Sequence, residues 1–124
     1  MAHILVIEDD ESVCRLFGQF LEGEGFTVSQ ASNGKEGLAL LKQQKPDLVI
    51  TDIMMPEMDG LEVIRNLRHQ HAGLPVIAIS GGMKTASVNF LPHAKKFGAD
   101  CVFEKPVSLT ALLAVVRKLL SKPD

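Results

Sequence analysis

The sequence predicts an α/β fold, a parallel sheet with helices on both faces, and three observations predict it. Short apolar runs alternate along the chain with segments whose apolar residues recur every three or four positions. Two of the runs, His3–Ile7 (HILVI) and Asp47–Thr51 (DLVIT), are nearly continuous and rich in β-branched residues, as suits strands buried on both sides. The length, 124 residues, is that of one domain, and 46% hydrophobic with 23% charged residues is an ordinary globular mixture.

The elements follow in order. His3–Ile7 is the first strand. Val13, Leu16, Phe17, Phe20 and Leu21 recur at spacings of three and four, so this segment is helical, and Gly23 and Gly25 stop it. Asp10 or Glu11 suits the N-terminus of that helix, where carboxylates complement the dipole. Phe26–Ala31 reads as a second, more polar strand. Asn33 and Gly34 open a second helix with Leu38, Leu40 and Leu41 on its apolar side, and Pro46 follows it. Asp47–Thr51 is the third strand. Asp59 can cap a third helix carrying Leu61, Val63, Ile64 and Leu67. Leu74–Ser80 (LPVIAIS) is the fourth strand, with Pro75 tolerated only near its start. Gly81 and Gly82 break it. Residues 86–97 read as a fourth helix, which Pro92 kinks or shortens. Asp100–Phe103 is a short fifth strand. Ser108 caps a last helix with Leu109, Leu112, Leu113, Val116 and Leu119 inward.

Composition narrows the function. Thirteen basic and 15 acidic residues give a formal net charge of −2, which disfavours nucleic-acid or membrane-surface binding by bulk charge. No apolar run reaches the ~18–20 residues of a membrane span. The start, MAHILVIEDD, lacks the basic flank and cleavage site of a signal peptide. Cys14 and Cys101 form no CxxC and read as reduced structural thiols of a cytoplasmic protein. His3, His69, His71 and His93 have no metal-ligand spacing and read as surface residues. With no repeat or internal linker, residues 1–124 read as one domain.

In a parallel α/β sheet, ligands bind at the carboxyl ends of the strands, near the reversal in strand order. Those ends carry Glu8, Asp9 and Asp10 after the first strand, Asp52 after the third, Ser80 at the fourth and Lys105–Pro106 after the fifth. Converging carboxylates repel by ~4 kcal/mol per pair at 4 Å and an effective dielectric of 20. They therefore take up protons or share a cation. Mg²⁺, a hard ion that accepts carboxylate and phosphate oxygens, is the natural partner. Asp9 and Asp52 would ligate it directly, together with a backbone carbonyl just after Asp52, and Glu8 would act through water. Asp52 is then a candidate nucleophile, with Lys105 and Ser80 as donors to phosphoryl oxygens and Gly81 and Gly82 leaving room beside them.

The stretches ILVIEDDESV, DLVITDIMMPEMDGLEVIRNLR, PVIAISGG and GAD followed by EKP resemble, in order and spacing, the receiver domains of two-component response regulators. The resemblance covers essentially the whole chain, and Asp47–Arg68 is its most specific part. It implies a flavodoxin-like, doubly wound five-stranded sheet of order 2-1-3-4-5 with five helices. It implies Asp52 as phospho-acceptor, and Glu8, Asp9, Asp52 and the Met54 carbonyl as the Mg²⁺ site. Ser80 would be the hydroxyl that turns onto the phosphoryl group, and Lys105 its lysine contact, with a cis Lys105–Pro106 bond. Pro56 and Gly60 would shape the loop after the acceptor. One position departs from the pattern. Many receivers carry Tyr or Phe three residues before the lysine; here Val102 stands there. Phe103 follows it, and strand alternation turns that ring to the other face. Transmission would then run through Gly81–Met83.

The resulting reading is a stand-alone phospho-receiver that catalyses only its own phosphorylation and dephosphorylation. Its donor is a sensor histidine kinase or histidine phosphotransfer protein. Its target is a protein that reads the face made by the fourth helix, fifth strand and fifth helix, without direct nucleic-acid contact or membrane insertion. The apolar last helix suits a homodimer formed on phosphorylation as well as a target. Two other readings compete. One is a receiver-like interaction scaffold that is never phosphorylated. The other is a Mg²⁺-dependent aspartyl-phosphate hydrolase, which ordinarily has a second aspartate where Met54 stands.

Overall fold

The computed structural model describes residues 2–53, 60–80 and 98–121. Five strands, β1 (His3–Ile7), β2 (Thr27–Ala31), β3 (Leu48–Asp52), β4 (Val76–Ser80) and β5 (Cys101–Glu104), form one sheet. Four helices, α1 (Glu11–Gly23), α2 (Gly34–Gln43), α3 (Gly60–Gln70) and α4 (Leu109–Ser121), lie among the described residues. The strand order is β2-β1-β3-β4-β5 and every pairing is parallel, as the resemblance implies. Met54, Pro56, Asp59, Gly81–Met83 and the helix expected at 86–97 lie outside the described residues.

Strand alternation divides the core into two layers. Leu5, Ile7, Val49, Val76 and Ala78 face α2 and α3 and pack with Leu41, Val63, Ile64 and Leu67. Ile4, Val6, Leu48, Ile50, Ile77 and Ile79 face α1 and α4 and pack with Cys14, Phe17, Leu21, Leu112 and Val116. β1 and β3 are buried along their whole length, which explains their unbroken apolar sequences. β2 is an edge strand with only Ala31 fully buried, hence its polar composition. Val102 packs with the α2/α3 layer and Phe103 with the α1/α4 layer, so the two point to opposite faces as expected.

The helix caps are local. The Asp10 side chain accepts from Ser12 N and Val13 N, so Asp10 is the α1 cap. Asn33 accepts from Glu36 N, while Glu36 Oε1 accepts from Ser32 N, a reciprocal cap that starts α2. Gly25, just past α1, has φ +97°, where a side chain would be strained.

Leu16 shares the helical spacing but is 50% exposed, because α1 meets the sheet along Cys14, Phe17 and Leu21. One expectation fails. His3 is not a surface residue. It is 8% exposed, its Nε2 lies 2.7 Å from Ser29 Oγ, and its backbone N–H donates to Asp47 Oδ2. The sheet centre buries whatever occupies the first position of β1.

Arg68, at the end of α3, was not singled out by sequence. Its Nε donates to Gly98 O at 2.6 Å, and its Nη1 to Ala72 O and Leu74 O at 2.8 and 2.6 Å. Its Nη2 pairs with Asp100 Oδ2, which also accepts from Val76 N. Gly98 has φ +118°, and a Cβ there would collide with the Arg68 side chain. One planar guanidinium thus ties α3, the entry to β4 and the entry to β5 together. Replacing Arg68 by Ala strands three carbonyls and a carboxylate. We expect R68A to lose roughly 2–3 kcal/mol in urea unfolding, and R68K, which lacks the fork, to recover only part of it.

Candidate functional site

The site lies where the strand order reverses, between β1 and β3. Counting in steps of two along each strand, Glu8, Asp52 and Lys105 all continue the set that faces α1 and α4. Asp52 ends β3 and is 3% exposed; its register partner on β4 is Ile79, one residue before Ser80. Glu8 follows β1, is 2% exposed, and its N–H donates to Ala31 O at 3.0 Å. Asp9, the next residue, is exposed. Lys105 follows β5 and its N–H donates to Ser80 O at 3.0 Å, so the backbone sets where its side chain begins. The Lys105–Pro106 peptide is cis, as the resemblance implies.

From there the lysine reaches across β4. Its Nζ lies 2.7 Å from Glu8 Oε1 and 3.2 Å from Asp52 Oδ2. Carboxylate oxygens of Glu8, Asp9 and Asp52 all lie within 4.8 Å of one another. Three negative groups thus meet one ammonium, and the electrostatics register it. Burial holds the Glu8 carboxyl above its ordinary range and the neighbouring Asp52 adds to this, while Lys105 works against it. Burial and Glu8 likewise raise Asp9. For Lys105, burial acts to lower the ammonium, but Glu8 and Asp52 outweigh it and hold the group above its usual value. Cys14, in the adjoining layer, is pushed up to about 11 by burial, with Glu8 and Glu36 adding to it, and so is an inert thiol.

The donor set fits a hard divalent ion. All its side-chain ligands are carboxylate oxygens, two of the three residues are buried, and the surplus charge is negative. Soft or histidine-seeking metals find no cysteine or histidine in the group. The structure brings Glu8, Asp9, Asp52 and Lys105 together and puts Ser80 at the end of the neighbouring strand.

A family model, the response regulator receiver domain, matches residues 4–117. The chain belongs to the response regulator receiver domain family. The receiver is 38% identical over 123 residues to the response regulator MprA of Mycolicibacterium vanbaalenii, covering 98% of this chain and 52% of that protein. It is 36% identical over 126 residues to the sensor kinase CckA of Brucella abortus, covering 99% of this chain and 13% of that protein. The chain thus spans about half the length of the one relative and a small part of the other. Among solved structures it resembles the receiver domain of NtrX from Brucella abortus, with TM-score 0.87 and 30% identity over 97% of this chain and 99% of that one. It is similar in the same degree to a receiver domain protein from Clostridium thermocellum, with TM-score 0.87 and 29% identity over 97% of this chain and 94% of that one. It is therefore a receiver domain of two-component signalling. Among the described residues no helix is long and apolar enough to cross a membrane.

The raised carboxyls make a testable statement about stability. A carboxyl raised on folding binds its proton more tightly in the folded state, so its ionisation opposes folding at neutral pH and the penalty fades as pH falls through the folded value. In chelator-treated protein, D9N should therefore melt slightly above the parent at pH 7.5, the gain being small because solvent screens the exposed Asp9. The gap should shrink as pH falls towards the ordinary carboxylate range, ~4–4.5. Saturating MgCl₂ at pH 7.5 should close or invert it, because the parent gains the better ion site. Thermal melts of both proteins across pH, with and without MgCl₂, check this.

Proposed function

We propose that this receiver takes a phosphoryl group from a phosphohistidine onto Asp52, with Mg²⁺ held by Glu8, Asp9 and Asp52. The observation that carries the reading is the meeting of three carboxylates from two adjacent strands with the ammonium from a third. In this reading an Asp52 oxygen attacks phosphorus, the bond from phosphorus to the donor's ring nitrogen breaks, and the imidazole leaves with that electron pair. A divalent ion held by these carboxylates would, when bound, neutralise negative charge as the phosphoryl group approaches. Lys105 holds the acceptor carboxylate in place beforehand and is positioned to donate to the phosphoryl group afterwards. Ser80 would supply a hydroxyl at the adjacent strand end, and Met54, outside the described residues, is the position whose backbone carbonyl the resemblance would add to the ion site. Water later cleaves the acyl phosphate and returns Asp52.

Charge explains how modification becomes a signal. The phosphoryl group adds negative charge beside Glu8 and recruits Lys105, so an ion pair present before modification is redistributed. Moving a two-state balance from mostly off to mostly on takes ~5.5 kcal/mol of differential stabilisation. The donor in this reading is a sensor histidine kinase or a phosphotransfer protein, and the recipient of the signal is a protein target. The two free cysteines suit a reducing, cytoplasmic compartment.

Incubation with acetyl phosphate and MgCl₂, followed by intact-mass measurement, tests the reading. The parent should gain one phosphoryl group, and D52N and chelator-treated parent should gain none. Absence of any mass gain under conditions that modify another receiver would overturn it in favour of an unmodified scaffold.

A further inference from the structure

Polar contacts run without a break from the acceptor carboxylate to the first turn of α1. Asp52 Oδ2 lies 3.2 Å from Lys105 Nζ, and the same nitrogen lies 2.7 Å from Glu8 Oε1. The other oxygen of that carboxylate, Glu8 Oε2, accepts from Asp10 N at 3.1 Å. Asp10 Oδ1 accepts in turn from Ser12 N at 2.9 Å and Val13 N at 3.2 Å, two donors that the start of α1 leaves without a partner inside the helix. Glu8 is 2% exposed, so water does not interrupt the run at its centre. Glu8 therefore has three claimants: an ammonium, a backbone amide that leads to a helix cap, and the position it shares with Asp9 and Asp52.

We propose that Glu8 is a positioning residue that reports occupancy of the carboxylate cluster to the N-terminal turn of α1. The proposal rests on reading the cluster as a divalent-cation site. One carboxylate cannot satisfy all three claimants equally. When its charge is drawn towards a divalent ion, its hold on Lys105 and on the Asp10 amide weakens. Asp10 is at once the donor in that bond and the cap of α1. A shift of its backbone therefore reaches Ser12 and Val13 over two residues and needs no rearrangement of the core. Coupling is reciprocal: whatever strains or braces the α1 cap changes cation affinity by the same factor. The first turn of α1 thus presents a different surface in the loaded and the empty receiver.

Amide hydrogen exchange on the whole chain, with and without saturating MgCl₂, tests this. In the parent, exchange at Asp10, Ser12 and Val13 should rise by about fivefold on loading, the low end of ordinary site-to-site coupling. In E8Q the side-chain oxygen still reaches the Asp10 amide but has no charge to cede. These amides should then hold steady while the Asp52 and Ile53 signals report the ion. Unchanged exchange in the parent despite ion signals at Asp52, or an equal rise in E8Q, overturns the proposal. If no signal anywhere responds to MgCl₂, the cation-site reading fails and this one with it, a result distinct from either.

A second arm does not depend on E8Q binding the ion. D10S and D10A both remove the charge, but only D10S keeps a capping oxygen. Mg²⁺ affinity should be about fivefold tighter in D10A than in D10S, because the cap that loading weakens is already lost. Equal affinities would overturn the link.

Discussion

Three carboxylates and one ammonium share a small, mostly buried volume, and much of this receiver depends on that imbalance. Lys105 cannot neutralise Glu8, Asp9 and Asp52 together. A buried charge without adequate partners is costly, and the cost is relieved by protons, by a cation or by displacement of the lysine. Because two of the three acids are almost fully buried, solvent screens them poorly and the imbalance persists at physiological salt. An arrangement with as many ammonium groups as carboxylates would be quieter and more stable, and would have nothing to offer a divalent ion.

The fold makes the crowding unavoidable. Parallel order β2-β1-β3-β4-β5 brings the ends of β1 and β3 side by side, so the acids that follow them meet. Two thick apolar layers, one under α2 and α3 and one under α1 and α4, hold the strands against that repulsion. The remaining demand falls on β5, a four-residue edge strand that must deliver Lys105 to the right place. It is pinned at both ends, by Asp100 and Arg68 at its entry and by the Lys105 amide on Ser80 at its exit. The Arg68–Asp100 contacts lie at the end of β5 away from the site, where they can be strong without competing for the acids.

Glu8 has a special place in this economy of charge. Both its carboxylate oxygens have work: one faces the ammonium and the other accepts the amide of the residue that caps α1. The site and the first turn of α1 thus share a group. A helix cap is ordinarily a local device, worth about 1 kcal/mol to its own helix. Here its backbone also leans on a residue of the acidic cluster.

The sequence by itself determined what depends on a few neighbouring residues. Periodicity separates strands from helices to within a residue or two, as with Val76–Ser80 against the expected Leu74–Ser80. Alternation in β5 decides that Val102 and Phe103 part company, and the chemistry of Asp10 and Asn33 decides the caps. The strand-end rule for parallel sheets grouped Glu8, Asp9, Asp52 and Lys105, and motif resemblance added the strand order. Only the tertiary structure decided that Lys105 sits nearer to Glu8 than to Asp52, that Arg68 gathers four acceptors, that His3 is buried and that Leu16 is not. The reason is range. A pattern of period two or 3.6 is written in adjacent residues, whereas a distance between side chains on different elements is set by register, by strand order and by how far along its edge each layer packs.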